Sequence, residues 1–169
     1  MIRSFLIGIV AGQRGITPLA AIATATRRHD IPAELPLQGL LRDPVVAAGT
    51  ALFAAAEMAG DKMKTAPDRI VPIGLAVRSV TAAYAGAALA PRNRQVAGAA
   101  VAVGTALASS YLGWRLRCAA MRRYGQTATG FVEDAIVLAA GLAIASPSLV
   151  KKGNIRPGQA QPSIPSSRT

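Results

Sequence analysis

The stretch SFLIGIVAGQRGITPLAAIATAT, residues 4–26, decides the fold of this chain. It is long enough for a membrane-spanning helix of about 20 residues, and only Gln13 and Arg14 break its apolar character. A charge inside lipid is costly and suggests a polar site shared between helices. Arg78 interrupts another apolar stretch in the same way. The sequence therefore predicts a helical membrane protein with a cluster of polar residues shared between its helices.

Four more apolar stretches follow the first. The predicted spans cover residues 4–26, 44–62, 70–90, 96–114 and 129–150. They give an all-α fold class, a polytopic transmembrane helical bundle within residues 1–152. Asp43 and Pro44 supply a helix-start signal for the second span. Residues 153–169 are rich in proline and small polar residues, which predicts a disordered tail.

The composition favours close packing of helices in lipid. Hydrophobic residues make up 51% of the chain and mean hydropathy is +0.35, yet aromatic residues make up only 4%. Small residues let helix backbones approach each other, and exposed small faces also favour a homo-oligomer. The spacings that predict close packing are Gly8/Gly12, Ala56/Gly60, Gly86/Ala90 and Ala135/Ala139/Ala143.

The net charge of +11 does not indicate nucleic-acid binding, because the basic residues flank the apolar stretches. Of the 19 Lys and Arg residues, all but Arg14 and Arg78 lie between or beyond the apolar stretches, and Lys62 stands at the very end of the second predicted span. That placement is typical of membrane helices, so the expected partner is the lipid bilayer. One cysteine, Cys118, and one histidine, His29, exclude an intrachain disulfide and a thiolate metal cluster. No metal or cofactor is predicted.

A faint internal repeat suggests two repeated hairpins plus one helix. Residues 14–17 (RGIT) match 78–81 (RSVT), and residues 49–52 match 104–107 (both GTAL). Such a repeat would relate two hairpins by an axis along the membrane normal. Alanine-rich sequence also produces such matches by chance.

The charges inside the spans are expected to meet. If the spans alternate in direction, Arg14 lies about 15 Å and Arg78 about 12 Å from one face of the membrane. The carboxylates of the second and fifth spans fall in the same half of the bilayer. We therefore expect Arg14 and Arg78 to pair with Glu57 and Glu133, with the fourth span outside the cluster or closing it. In the alternative interpretation, Glu133 and Asp134 stand at the start of a helix and only complement its dipole.

Carboxylates four residues apart share a helix face and repel each other, so Glu57 and Asp61 indicate that a cation, a proton or an arginine lies between them.

The motifs also resemble a known family. The stretch EMAGDKMKTAPDR at residues 57–69 occurs with AGQR at 11–14, RSV at 78–80 and ED at 133–134. In this combination the chain resembles the bacterial integral-membrane family called domain of unknown function 4126, from the first span to the fifth. Similar proteins tend to have Ser where Asp68 stands, which implies a different local contact here. The family has no established activity; the resemblance implies a multi-pass protein of the bacterial inner membrane and supports the candidate positions.

Two functions remain open. The first is a small transporter or channel-like protein for an ion, a proton or a small charged solute. The second is a non-transporting membrane scaffold or assembly partner in which the charged pairs are structural. An enzyme is less favoured, because the sequence offers no nucleophile–base pair and no catalytic residue can be named. The candidate binding positions are Arg14, Glu57, Asp61, Lys62, Arg69, Arg78, Glu133 and Asp134.

Overall fold

The described part of the chain is helical throughout, without a strand. A computed structural model describes residues 1–31, 35–60 and 71–146. Its helices are α1 (Ile2–Gln13), α2 (Thr17–Arg27), α3 (Gln38–Arg42), α4 (Pro44–Gly60), α5 (Pro72–Leu89), α6 (Gln95–Tyr124) and α7 (Gln126–Ala145), and a 3₁₀ turn, Arg92–Arg94, precedes α6. The predicted tail at 153–169 and the candidate residues Asp61, Lys62 and Arg69 lie outside the described residues.

The predicted first span is wrong as a single helix. Arg14 has extended backbone angles, φ −140° and ψ 123°, and ends α1, while α2 begins at Thr17 with Pro18 in its first turn. Proline is favoured at this position because the first N–H groups of a helix have no intrahelical partner. Residues 4–26 therefore form two short helices separated by a break.

The chain reverses direction at this break. Arg3 in α1 donates to the carbonyls of Ile144 and Ala145, at 2.9 and 2.8 Å, and attracts Asp30, which follows α2. The start of α1 and the end of α2 therefore lie at the same end of the bundle. Near the end of α7, Gly141 faces both α1 and α2. We call α1, the break and α2 the hairpin, and residues 14–16 its tip.

The helix directions overturn the predicted repeat. Ser4 donates to the Gly86 carbonyl at 2.9 Å, whereas Gly15 lies beside Arg78, so α1 and α5 are antiparallel. An axis along the membrane normal would make corresponding helices parallel. In addition, α1 stops before Arg14 but α5 continues through Arg78. The prediction of two repeated hairpins is therefore wrong.

Glycines bring α6 against α1 and α5. A Cβ atom at Gly12 would lie 1.8 Å from Ser109 Oγ, and one at Gly86 would lie 2.5 Å from the Gly98 carbonyl oxygen. This confirms close packing at Gly8/Gly12 and Gly86/Ala90. The predicted packing at Ala56/Gly60 and Ala135/Ala139/Ala143 is wrong within the described chain, because the four alanines are exposed and Gly60 faces open space.

Three helical segments of the described chain are long and apolar enough to cross a membrane, fewer than the five predicted. They are Pro72–Leu89, Arg92–Arg123 and Ala128–Ala145, while Ile2–Gln13 and Pro44–Gly60 are shorter apolar helices. The outer surface is apolar, as lipid requires: Phe53 is 70% exposed and Val80 is 71% exposed. Helix α6 continues for ten residues beyond residue 114, the predicted end of the fourth span.

The start of α4 confirms its sequence signal. The Asp43 carboxylate accepts hydrogen bonds from the N–H groups of Val45 and Val46, at 2.8 and 3.2 Å, and Pro44 is the first helical residue. This cap fixes where α4 begins and hence which of its residues reach the hairpin tip.

Candidate functional site

The site is built around the hairpin tip. The Glu57 carboxylate, near the end of α4, accepts hydrogen bonds from the N–H groups of Gly15 and Ile16, at 2.7 and 2.9 Å. The first N–H groups of a helix lack intrahelical partners, and the helix dipole favours negative charge there. Glu57 thus lies just before the start of α2, on the N–H groups of the N-cap residue Ile16 and of Gly15, while belonging to another helix.

Arg14 holds the tip to α7. Its guanidinium donates to Asp134 Oδ1 from Nε at 2.9 Å and also from a terminal nitrogen. Arg14 is completely buried and Asp134 is 7% exposed. Removing one partner of a buried ion pair costs about 3–5 kcal/mol, because the other charge stays desolvated. This pair therefore resists separation of α1 from α7.

A second buried arginine lies at the tip. A Cβ atom at Gly15 would lie 3.4 Å from both Glu57 Oε1 and the Cγ atom of Arg78. The two side chains thus converge on Gly15 from α4 and α5, and Arg78 is 7% exposed. An alanine in place of Gly15 would therefore contact both side chains at ordinary van der Waals distance.

The structure brings together Arg14, Glu57, Arg78 and Asp134, all of them predicted candidates. The expectation that Arg14 meets a carboxylate is confirmed by Asp134, the neighbour of the expected Glu133. Glu133 pairs instead with Arg117 of α6 at 3.2 Å. Neighbouring residues point about 100° apart around a helix, so only one of these two acids can face α1.

Helix α6 contributes none of these four charged residues and packs beside the cluster, as predicted for the fourth span. The alternative in which the two acids begin a helix is wrong, because α7 begins at Gln126 and has no acid in its first turn.

The predicted depth needs correction, because α5 and α7 run opposite to α1. From helical rise, the tip lies about 18 Å beyond the start of α1 and about 9–12 Å beyond the starts of α5 and α7. The charges therefore meet near the middle of the bundle, nearer the end where α5 and α7 begin.

Several polar contacts around the tip were missed. Gln13 donates to the Ser109 carbonyl at 2.8 Å, and Ser110 donates to the Gly12 carbonyl at 3.0 Å, so α6 bonds to the last turn of α1. The pair Thr17-Pro18, two residues after Gly15, is a helix-start signal that could have indicated the break. Among the described residues, no group of three or more His, Cys, Asp or Glu could hold a metal ion.

Comparisons with known protein families, with curated proteins and with solved structures find no match for this chain. The resemblance to domain of unknown function 4126 therefore stays a prediction.

Proposed function

We propose that this chain is a small transporter or channel-like protein of the bacterial inner membrane, and that the hairpin tip is its ion-handling site. The observation that carries the proposal is the Glu57 carboxylate on the two N–H groups at the tip. Irregular backbone at membrane depth occurs only inside protein or beside a water-filled cavity. Transporters place such helix breaks at their substrate sites, where half-helix N-termini face anionic groups.

In the proposed membrane arrangement, α4, α5, α6 and α7 cross the bilayer and the hairpin enters and leaves on one side. This replaces the first of the five predicted spans with a re-entrant segment. A 12-residue helix such as α1 reaches about 18 Å, just past the middle of a hydrocarbon core about 30 Å thick. The tip then lies deep in the membrane, where an uncompensated charge is most costly.

The proposed mechanism separates two tasks. The Arg14–Asp134 pair is buried and anchors the tip, so it does not exchange partners. Glu57 is half-buried, and in this mechanism its carboxylate is the group whose charge changes during transport. When Glu57 takes up a proton and withdraws, the Gly15 and Ile16 N–H groups can bind a small anion beside Arg78. The net charge at the tip then stays the same, so proton and anion movement are coupled.

The test is flux through purified protein in liposomes. Wild type should carry protons or a small anion such as chloride, followed with an entrapped pH-sensitive dye and a chloride electrode. Glu57→Gln should lose the pH dependence, because glutamine does not ionise and offers one carbonyl oxygen to two N–H groups. Glu133→Gln, the same change away from the tip, is the matched control. Wild-type protein that moves neither ion would refute the proposal.

A scaffold is the second candidate, and the complete burial of Arg14 favours it. A purely structural cluster predicts that Glu57→Gln lowers thermal stability in detergent and that wild type carries no flux. The two candidates thus differ in the behaviour of the unaltered protein.

A further inference from the structure

A lateral groove lies where α1 stops. Beyond Gln13, nothing in the described chain continues α1 along the seam between α6 and α7, and a cavity of about 700 Å³ opens there. Ile9 and Gln13 close one end of it. A volume of this size falls within the range of about 300–1,000 Å³ that is usual for ligand sites.

The groove opens on the outside of the bundle. Its walls include Leu112 and Leu116 of α6 and Val132 and Ile136 of α7, which are all more than half exposed. Exposed apolar side chains around a groove in a membrane protein face acyl chains. The lining therefore matches a hydrocarbon chain rather than a water-soluble ligand.

Positive charge gathers at the far end of this groove. Helix α6 is 30 residues long, or about 45 Å, roughly 15 Å more than the hydrocarbon core. Its last ten residues, 115–124, include four arginines and no carboxylate. Arg117 lines the groove and pairs with Glu133, and Arg123 lies further along the same helical face as Ala120.

We propose that the groove binds one acyl chain of an anionic phospholipid from the leaflet where α6 ends, and that Arg117 and Arg123, on the groove face of α6, hold its phosphate group. The apolar walls fit the chain, and the excess of positive charge fits an anionic headgroup better than a zwitterionic one. This inference does not depend on ion transport by the hairpin tip.

Native mass spectrometry of the delipidated full chain tests the proposal, with phosphatidylglycerol or phosphatidylcholine added back. We expect one phosphatidylglycerol to remain on each chain and phosphatidylcholine to leave. Ala120→Phe fills the groove and should abolish retention, whereas Ala119→Phe, an exposed neighbour outside the lining, should not. Arg123→Gln should weaken retention about fivefold, and Arg92→Gln at the opposite end of α6 should leave it unchanged.

Helical content and elution volume establish that each variant folds. If Ala120→Phe does not fold, Ala120→Leu replaces it in the test. Three results would overturn the proposal. These are equal retention of the two lipids, equal loss for the variants at positions 119 and 120, or a dimer of the chain that carries no lipid.

Discussion

Asp134→Asn should be the most damaging isosteric change in the described chain. It keeps the size of the side chain but removes the charge that compensates Arg14, which has no exposed surface. Leaving a buried charge unpaired costs about 3–5 kcal/mol, and an isolated arginine at the centre of a membrane helix costs about 3 kcal/mol on insertion scales. For a chain of this length, 3–5 kcal/mol corresponds to a fall in Tm of about 6–20 °C.

The measurement is the fraction of protein that elutes as a sharp size-exclusion peak after heating in detergent. Glu133→Gln is the matched control, since Glu133 is the neighbouring residue and pairs with Arg117 at 3.2 Å beside an open groove. We expect it to cost less than Asp134→Asn, because the side chains of both Arg117 and Glu133 keep some exposed surface whereas Arg14 keeps none. The double change Arg14→Met with Asp134→Leu should recover much of the loss, because an apolar pair leaves no buried charge. Equal falls in Tm for Asp134→Asn and Glu133→Gln would refute the reasoning.

Two further predictions concern the packing and the path of the hairpin. Gly12→Ala should lower the free energy of unfolding by about 1–3 kcal/mol, because its Cβ would lie 2.5 Å from the Ala106 carbonyl oxygen. Gly104 faces open space, so Gly104→Ala is the control and should not destabilise the protein. Equal melting temperatures for the two variants would contradict this. With Cys118→Ser as background, Ile2→Cys and His29→Cys should each react with a membrane-impermeant maleimide from the same side in sealed vesicles. Labelling from opposite sides would show that residues 4–26 span the membrane after all.

Features with a local cause were predictable from the sequence. Asp43 and Pro44 mark the start of α4 because cap and proline preferences act within one turn. The need of Arg14 for a carboxylate was also predictable, because it follows from the cost of burying a charge. The choice between Glu133 and Asp134 was not, because it depends on how α7 is rotated against α1.

The hairpin was missed for a physical reason. Hydropathy measures whether a segment prefers lipid, and residues 4–26 prefer it whether they cross the membrane or turn back. The turn depends on Glu57, which is more than 40 residues from the N–H groups it caps. The length of α6 was not predicted because hydropathy marks only the apolar part of a helix, whereas residues 115–124 are rich in Arg, Leu, Ala and Met, which favour helix without being apolar throughout.

The contact between Arg14 and Asp134 constrains how the molecule is assembled during synthesis. The two residues are 120 positions apart, so at about 5–20 residues per second the ribosome needs about 6–24 s to make the second after the first. Throughout that time the guanidinium has no counter-charge on α7. In the proposed membrane arrangement, we therefore expect the amino-terminal segment to wait at the membrane surface and to insert after the helices that receive it. The first part of the chain to be made would then be among the last to reach its place.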